Sequence, residues 1–424
     1  MKATLAAVVL AILADGAAVG ERTNAAPQEG APRTNGTSFS LNQVRNQDFQ
    51  GHNGAVAFLR AHFKYADSLP DHLSKLVQDT PDFRLKAGWS GQGGQTGSVL
   101  ASPSFLVDTE YSVIVKIGSP PQKIPMNLDT GSSDFWVFST ETDKALVRGQ
   151  VLYDANRSFT SHFLTGQSWK IKYGDNTTAS GYVYTDRVEI GGTHVNAQAV
   201  QVAVNVSKAL TKDDFVCGIL GMANSAANTV RPTRQLTYID NIKNDLARPL
   251  FTADLRSQAP GTYNFGFIDH SAYIDDIAYT PIERSFPLWM IKTTGHKVGT
   301  YHGNEAVEAI VDTGTSLLLL PESVVSSYYA RVPGSSVDPF LGMVVVPCNA
   351  KLPDFYLKIG SYRGRVPGSY MNYGPLDPQR CYGGLQSSRA LPFSVIGDVF
   401  LKAQFAVFDY GNARVGFANK RLYV

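Results

Sequence analysis

Two carboxylates with matching neighbours are the residues of this chain best suited to chemistry. Asp129 begins an Asp-Thr-Gly-Ser sequence and Asp312 begins an Asp-Thr-Gly-Thr sequence, and each follows an apolar run of strand character. A single Asp-Thr-Gly could be an ordinary turn, because Asp and Gly are common turn residues. Two copies 183 residues apart could supply the two halves of one site. Two carboxyl groups in contact share a proton, so one can act as general base while the other acts as general acid.

Each acid is followed by a second matching feature, an apolar pair and a glycine. The pair and its glycine occupy residues 219–221 in the first half and 395–397 in the second, and each glycine lies 92 or 85 residues after its acid. A glycine at this point would let a strand pass close beneath the loop that carries the Asp. The chain therefore predicts two similar halves that each present one acid.

Short strands dominate the sequence from Gly97 onward. Alternating runs such as residues 111–117 and 405–408 are separated by Gly, Pro and Asn turns. The sequence therefore predicts an all-β fold with few helices. The best helix candidate begins at Pro321, a residue suited to a first helical turn. Its apolar face would consist of Val324, Val325, Tyr328 and Tyr329.

The first 20 residues have the composition of a secretory signal peptide. Lys2 supplies a positive charge, residues 3–14 form an apolar stretch, and Gly16 and Ala18 are small residues of a cleavage site. A membrane anchor is the alternative, but about 20 apolar residues are needed to span a bilayer and this run is shorter. We expect residues 1–20 to be removed and the product to be exported, with no membrane partner.

Residues 21–96 form a leader of different character from the rest of the chain. Alternation from Phe39 predicts a short strand, the apolar residues between 55 and 63 predict a helix, and residues 71–77 predict a second helix. The region is too small and too polar to be a separate domain. It ends in a glycine-rich linker at residues 88–97, which is a natural site for proteolysis.

Charge and cysteine content narrow the class of protein. The 424-residue chain is 43% hydrophobic with a net charge of +2, so it lacks the basic excess of a nucleic-acid-binding protein. Cys348 and Cys381 can pair in an oxidising compartment, which leaves Cys217 as a buried apolar residue. Four sequons fit a secretory route. These candidate glycosylation sites are Asn35, Asn156, Asn176 and Asn205.

From about Asp108 to the C-terminus the chain resembles the pepsin-like aspartic proteases. Jointly the matching motifs are specific to that family. They are residues 118–122, 129–136 (DTGSSDFW), the hairpin at Tyr173, 218–221, 265–269 (FGFID), 312–316 and 396–400. The hairpin and the FGFID stretch look most like the secreted fungal branch.

The resemblance implies a fold of two similar β lobes with a catalytic cleft between them. It divides the chain into a signal peptide (1–20), a propeptide and linker (21–96), an N-terminal lobe with a flap (97–275) and a C-terminal lobe (276–424). Protein and peptide substrates, the chain's own propeptide as a partner, and a monomer are expected. Secretion is expected, and diversion to a vacuole is the alternative.

In this family the two acids bind one water and activate it for attack on a peptide carbonyl. The resemblance gives this role to Asp129 and Asp312, with no covalent intermediate and no cofactor or metal. The residues that would support the pair are Thr130, Gly131, Ser132, Thr313, Gly314 and Thr315. The enzyme is expected to work at acid pH and to prefer bulky apolar residues around the scissile bond.

The stretch from Trp169 to Thr177 alternates as a strand and then turns, which predicts a hairpin. By resemblance this hairpin is the flap that closes over the substrate, with Tyr173 and Gly174 at its tip and the Tyr173 hydroxyl near the indole of Trp136. Asp175 matches an acid that accompanies tolerance of Lys beside the scissile bond. A glycan on Asn176 would hinder substrate entry, so we expect that site to be unoccupied or directed outward.

Three further residues carry expectations from the resemblance. Lys64 and Tyr65 match the pair that lies across the cleft in zymogens of this family, where the ammonium meets both catalytic carboxylates. Acid would protonate the carboxylates and release the leader, with cleavage between about residues 85 and 101. Cys217 replaces the Asp or Ser common at this position, so the polar contacts near the substrate subsites are expected to differ.

Two other classes of function remain open from the sequence. One is a binding protein on the same fold with an inactive pair of acids, although both Asp-Thr-Gly sequences, Ser132 and Tyr173 are intact. The other is a glycosidase, because two carboxylates can also hydrolyse sugars. The duplicated frame and the flap favour peptide hydrolysis.

Overall fold

The computed structural model describes residues 39–42, 44–45, 54–66, 73, 111–172, 178–207, 210–212 and 216–422. The predicted signal peptide, the predicted linker, the predicted helix at 71–77 apart from Leu73, and the predicted flap tip at 173–177 lie outside these residues. Within the described residues strands predominate and α-helices are short. The helices are α1 (Gly54–Tyr65), α2 (Tyr238–Ile242), α3 (Glu322–Tyr329) and α4 (Asp398–Leu401).

Strands follow one another through both halves of the chain. Those of the first part are β1 (Phe39–Asn42), β2 (Val44–Arg45), β3 (Tyr111–Ile117), β4 (Gln122–Asp129), β5 (Phe135–Phe138), β6 (His162–Lys172), β7 (Thr178–Ile190), β8 (Thr193–Val206), β9 (Gly218–Gly221), β10 (Leu250–Asp254) and β11 (Thr262–Phe265). Those of the second part are β12 (Ala278–Pro281), β13 (Met290–Lys292), β14 (Gly295–Val298), β15 (Tyr301–Gly303), β16 (Glu308–Val311), β17 (Leu318–Leu320), β18 (Ser336–Val337), β19 (Val344–Pro347), β20 (Phe355–Ile359), β21 (Tyr362–Val366), β22 (Asn372–Pro375), β23 (Arg380–Gly383), β24 (Leu385–Ser387), β25 (Ser394–Ile396), β26 (Gln404–Asp409) and β27 (Arg414–Asn419). The predicted all-β class is confirmed.

The two halves contain the same five-strand arrangement. In the first half, strands β3-β4-β9-β5-β8 are neighbours within a larger sheet, and in the second half β13-β16-β25-β17-β24 form a sheet in the corresponding order. In both, the strand that leads into the acid pairs in parallel with the strand of the apolar pair, β4 with β9 and β16 with β25. The internal repeat predicted from the sequence is therefore present in the structure.

The glycine after each apolar pair is required by close packing. A Cβ at Gly221 would lie 2.7 Å from the carbonyl oxygen of Ser132 and from the amide nitrogen of Asp134. A Cβ at Gly397 would overlap the carbonyl oxygen of Thr315 in the same way. Only glycine lets the chain pass this close beneath each acid-bearing loop.

A six-stranded sheet in the order β1-β11-β10-β26-β27-β12 combines strands from the leader and from both halves. Two four-stranded sheets, β15-β14-β20-β21 and β18-β19-β23-β22, complete the second half. Strands β6 and β7 form a long hairpin in which Lys172 pairs with Thr178. The strands predicted to carry the flap are thus present up to its tip.

The predicted helix near Pro321 is confirmed as α3. Pro321 is its N-cap residue, so the helix begins one residue later than the sequence suggested. Val324, Val325, Tyr328 and Tyr329 are all buried, because the spacing of these residues places them on one helical face. The Tyr329 hydroxyl donates a hydrogen bond of 2.8 Å to the carbonyl oxygen of Leu385, which ties the helix to β24.

The described part of the leader pairs with sheets of the main fold and packs against its core. Strand β1 pairs antiparallel with β11, and β2 pairs with β3. Helix α1 lies so close to β23 that a Cβ at Gly54 would overlap the ring of Tyr382, and Phe58 and Leu59 of α1 belong to the main hydrophobic core. No helix among the described residues is long and apolar enough to cross a membrane.

Candidate active site

The two repeated loops hold their carboxylates in the same way. Asp129 ends β4 and Asp312 directly follows β16, and both are buried. The amide nitrogen of Gly131 donates to Asp129 Oδ1 at 2.9 Å, and that of Gly314 donates to Asp312 Oδ1 at 2.9 Å. The hydroxyl two positions after the Thr completes each set. Ser132 Oγ donates to Asp129 Oδ2 at 2.6 Å, and Thr315 Oγ1 donates to Asp312 Oδ2.

Two threonines cross-link the loops. The amide nitrogen of Thr130 donates to Thr313 Oγ1 at 3.2 Å, and the amide nitrogen of Thr313 donates to Thr130 Oγ1 at 2.9 Å. Each hydroxyl in turn donates to a carbonyl of the opposite strand, Thr130 to Val311 at 2.8 Å and Thr313 to Leu128 at 2.6 Å. The loops of the two halves therefore form one rigid unit, because each threonine is fixed by the half that it does not belong to.

The glycines of the two loops bring the carboxylates together. A Cβ at Gly131 would lie 2.5 Å from Asp312 Oδ1, and a Cβ at Gly314 would lie 2.7 Å from Asp129 Cγ. Any other residue at these positions would overlap the opposite carboxyl group. The arrangement thus places two acids in one small space, as a pair that shares a proton requires.

The leader reaches both acids through two adjacent side chains. Lys64 Nζ lies 2.7 Å from Asp129 Oδ1 and 3.0 Å from Asp312 Oδ2, and all three groups are largely buried. The hydroxyl of Tyr65 donates a hydrogen bond to Asp312 Oδ2. The structure therefore brings Lys64, Tyr65, Asp129 and Asp312 into one cluster.

Two tryptophans stack on each other where strand β6 of the hairpin packs near strand β5. Trp136 on β5 stacks on Trp169 of β6 with ring centroids 6.1 Å apart. The indole Nε1 of Trp136 is buried, and within the described part of the chain it has no hydrogen-bond acceptor. Tyr173, Gly174, Asp175 and Asn176 lie outside the described residues.

With this geometry in view, comparison with known proteins is decisive. A family profile described as "Eukaryotic aspartyl protease" matches residues 110–420. The chain belongs to this aspartyl protease family. It is 41% identical to endothiapepsin from Cryphonectria parasitica over 425 residues, which span 98% of each chain. It is 42% identical to podosporapepsin from Podospora anserina, over 91% of this chain and 92% of that protein. It is 40% identical to penicillopepsin-1 from Talaromyces stipitatus, over 90% and 92%. The predicted resemblance to fungal pepsin-like proteases is confirmed.

The two acids of this aspartyl protease have pKa values that depart from the ordinary value in opposite directions. Burial raises the pKa of Asp129, although the charge of Lys64 opposes the change. Burial acts in the same sense on Asp312, but the charge of Lys64 and hydrogen bonds from Asp129, Thr315 and Tyr65 outweigh it and lower the pKa of Asp312 to about 2. With the leader in place, Asp312 is therefore the ionised member of the pair.

The leader groups respond to the same surroundings. Burial disfavours the charged form of Lys64, yet the charges of Asp129 and Asp312 outweigh burial and raise its pKa. Burial and both carboxylates hold the pKa of Tyr65 well above its usual value. Lys64 is therefore an ammonium ion and Tyr65 a hydrogen-bond donor in this arrangement.

Two phenylalanines, named the aromatic pocket here, lie behind the ring of Tyr65, whose hydroxyl contacts Asp312. The ring of Tyr65 meets the edge of Phe393 at a centroid distance of 5.2 Å, and Phe393 meets Phe286 at 5.5 Å. Sequence reasoning missed both phenylalanines. Neither belongs to a motif, and only the folded chain brings residues 286 and 393 together.

The cysteines and two of the four sequons lie within the described residues. Cys348 and Cys381 form a disulfide with an S–S distance of 2.03 Å. Cys217 is fully buried, and its Sγ accepts a hydrogen bond of 3.1 Å from the amide nitrogen of Val151. The expectation that Cys217 is a buried apolar residue is confirmed, because its side chain belongs to the core, and an effect on the polar contacts near the subsites stays a prediction. Asn156 and Asn205 are exposed, and Asn35 lies outside the described residues.

A second polar network behind Asp129 was also missed. Asp134 follows the first Asp-Thr-Gly-Ser-Ser, and four hydrogen bonds converge on its Oδ1. The signal was present in the sequence, since the second copy has Leu317 at the equivalent position. Among the described residues, no cluster of three or more His, Cys, Asp or Glu side chains could hold a metal ion.

Proposed function

We propose that this chain is the zymogen of a secreted, acid-active aspartic endopeptidase in which Asp129 and Asp312 activate the water that attacks the peptide bond. One observation carries the proposal. Two buried carboxylates from matching loops converge on the same ammonium group, Lys64 Nζ, at 2.7 and 3.0 Å. A position within hydrogen-bond reach of both acids is the position that an attacking water must take.

The contacts of the loops support a general acid–base mechanism. With the leader gone, the pair holds one proton between its two carboxyl groups. The ionised member takes a proton from the water as it attacks the carbonyl carbon, and the other gives its proton to the carbonyl oxygen. The hydrogen bonds from Gly131, Gly314 and the two hydroxyls keep both carboxylates oriented through these transfers.

The preference for bulky apolar residues beside the scissile bond is supported by the seating of Tyr65. Its ring lies against Phe393 while its hydroxyl touches Asp312. A substrate side chain of similar size can occupy the same pocket once the leader has left. Acceptance of Lys depends on Asp175 in the flap. If Asp175→Asn leaves the ratio of Lys to Phe cleavage unchanged, this part of the proposal fails.

Zymogen control is supported by the cation between the acids. The contact requires ionised carboxylates, and as the pH falls the acids take up protons and lose their attraction for Lys64. The direction of the two pKa shifts gives the first proton to Asp129. Because the two acids titrate as a coupled pair, uptake of this proton weakens the attraction of the whole pair for Lys64.

The test is hydrolysis of a denatured protein at pH 3 to 5, with and without pepstatin. We expect pepstatin-sensitive cleavage after acid treatment of the proenzyme, and none from Asp129→Asn prepared in parallel. Hydrolysis that pepstatin does not inhibit, or activity against an oligosaccharide instead, would contradict the proposal. Intact mass of the protein recovered from the culture medium measures secretion, leader removal and glycosylation together.

A further inference from the structure

The segment that follows Gly221 differs between the two halves. In the second half, Gly397 leads directly into helix α4, and the amide nitrogens of Asp398 and Val399 donate to the carbonyl oxygens of Thr315 and Ser316 at 2.8 and 2.9 Å. In the first half, residues 222–237 are irregular apart from a short 3-10 turn. Irregular buried backbone needs other hydrogen-bond partners, and side chains near Asp129 provide them.

Asp134 is the centre of this support. Its Oδ1 accepts hydrogen bonds from Gln201 Nε2 at 2.9 Å, Asn228 Nδ2 at 3.1 Å, and both the amide nitrogen and the hydroxyl of Thr229 at 2.9 Å. Asp134 also holds the strand beneath the site, since its carbonyl oxygen accepts from the amide nitrogen of Gly221 at 3.0 Å. The side chain is 5% exposed.

Asn228 extends the network in two directions. Its Nδ2 also reaches the carbonyl oxygen of Ser133 at 3.1 Å, within the loop that carries Asp129. Its Oδ1 accepts from the amide nitrogens of Val230 at 3.1 Å and Gln235 at 2.9 Å. The Asp129 loop and the irregular segment are therefore joined through buried side chains.

The same segment touches the other half of the molecule. The amide nitrogen of Asn224 donates to the carbonyl oxygen of Pro287 at 3.0 Å. The carbonyl oxygen of Met222 accepts from Trp289 Nε1 at 3.1 Å and from the Tyr410 hydroxyl at 2.6 Å. Pro287 and Trp289 are close in sequence to Phe286 of the aromatic pocket.

We propose that Asp134 is a positioning residue, whose carboxyl oxygen holds the Asp129 loop and the 222–229 segment in one arrangement and so fixes how the first half meets the second beside the site. The inference rests on the proposed function, because it concerns the orientation of Asp129 during hydrolysis. Leu317 is the internal comparison. The equivalent position is apolar in the half where the segment after the glycine is helical.

The four hydrogen bonds to Asp134 require an accepting oxygen, but they do not require a negative charge. All four hydrogen bonds reach Oδ1, so a proton on Oδ2 leaves their acceptor in place. Burial raises the pKa of Asp134, against donors from Thr229 and Gln201 and the nearby charge of Arg231. The folded chain thus holds this proton more tightly than the unfolded chain, and ionisation of Asp134 lowers the free energy of unfolding as the pH rises above the usual Asp range.

Two variants separate the acceptor from the charge. Asp134→Asn keeps an accepting oxygen and cannot ionise, whereas Asp134→Leu copies the second half and removes the oxygen that four hydrogen bonds share. The measurements are kcat and KM on a fluorogenic peptide with bulky apolar residues on both sides of the scissile bond, and the pH midpoint of irreversible inactivation. Leu317→Met is the matched control, a swap of similar volume in a core.

We expect Asp134→Leu to lose about tenfold or more in kcat, with a smaller change in KM, because a displaced catalytic group is costly. Asp134→Asn should keep kcat within about threefold in acid and move the inactivation midpoint upward by roughly half a pH unit, since it buries no charge. Leu317→Met should move neither quantity.

Three results would overturn the inference. They are full kcat in Asp134→Leu, an equal loss of kcat in both Asp134 variants, or an inactivation midpoint unchanged in Asp134→Asn. The last measurement decides the matter if the Leu variant does not fold. A wild-type enzyme without pepstatin-sensitive activity overturns the proposed function itself, whereas an active wild type with an unaffected Leu variant overturns this inference alone.

Discussion

The loop at Asp129 and the loop at Asp312 present their acids through the same backbone and hydroxyl contacts, but their surroundings differ. Behind Asp129 lies the polar network of Asp134, and behind Asp312 lie Leu317 and helix α4. Lys64 touches both acids, while the Tyr65 hydroxyl touches only Asp312. The pKa of Asp129 is raised and that of Asp312 is lowered.

This difference indicates which properties of the site come from the strands and loops that the two halves repeat. Orientation of the carboxylates depends on contacts that both halves repeat, so both acids should be equally necessary. Proton affinity depends on neighbours that the halves do not share. Substitutions within the repeat should therefore lower kcat by similar factors in the two halves, whereas effects on proton affinity, and substitutions outside the repeat, should be unequal.

The largest effect is expected from removing either acid. Asp129→Asn and Asp312→Asn should each lower kcat by about 10⁴-fold or more, because members of one catalytic unit fail together. The measurement is turnover of the fluorogenic peptide after the leader has been removed by another protease. The double variant should be no worse than either single one. A tenfold difference between the single variants would show that the halves are not equivalent in catalysis.

Features that repeat along the chain could be predicted from the sequence, since a repeat is visible without knowledge of the fold. The acids, the hydroxyls at 132 and 315, and the glycines at 221 and 397 all belong to this class. Helix α3 was also predictable, because its four apolar residues follow the helical period.

The remaining features depend on residues that meet only in the folded chain. The cross-link of Thr130 to Thr313 joins positions 183 residues apart, and the pocket of Phe286 and Phe393 has no local pattern. The burial of Cys217 was predictable from the residue type, but its hydrogen bond from the amide nitrogen of Val151, 66 residues away, was not. A local sequence pattern does not reveal which side chains a residue will be packed against.

The next largest effect should come from the residue that joins the two acids. Lys64→Ala removes the only leader charge that contacts both carboxylates within the described residues, so the proenzyme should activate itself about one pH unit closer to neutrality. The measurement is the rate of leader loss against pH by intact mass.

Tyr65→Phe is the matched variant for Lys64→Ala. It keeps the ring against Phe393 and removes only the hydrogen bond to Asp312, so its shift should be smaller. An activation profile that Lys64→Ala leaves unchanged would remove Lys64 from the mechanism, and a larger shift in Tyr65→Phe would reverse the order of the two contacts.

Removing the hydroxyl of Ser132 or of Thr315 tests whether Asp129 and Asp312 differ in proton affinity. Ser132→Ala and Thr315→Ala should each lower kcat by about tenfold, the value of a hydrogen bond to a charged group. A donated hydrogen bond favours the ionised carboxylate, so each change raises the pKa of its Asp and moves the acid limb of the profile to higher pH. The shift should be larger for Thr315→Ala, because Thr315 contributes to the lowered pKa of Asp312. Thr315→Ser is the control and should return the acid limb of the pH profile to its wild-type position. Equal shifts in both Ala variants would contradict a difference in proton affinity between the two acids.

The smallest effect is expected at the aromatic pocket of Phe286 and Phe393. Both residues belong to the second half, and the ring of Tyr65 lies against Phe393. Phe393→Ala removes an edge-to-face contact, and such contacts stabilise by about 0.5–1.5 kcal/mol, so KM for a peptide with Phe at that subsite should rise by about 2- to 10-fold. A peptide with Ala there should be affected less, because its methyl group cannot reach the ring. Phe393→Leu keeps an apolar side chain at this position. Its KM for the Phe peptide should lie between those of the wild type and Phe393→Ala. If the Phe and Ala peptides respond equally, Phe393 does not select the side chain, and the seating of Tyr65 serves only to hold the leader in place.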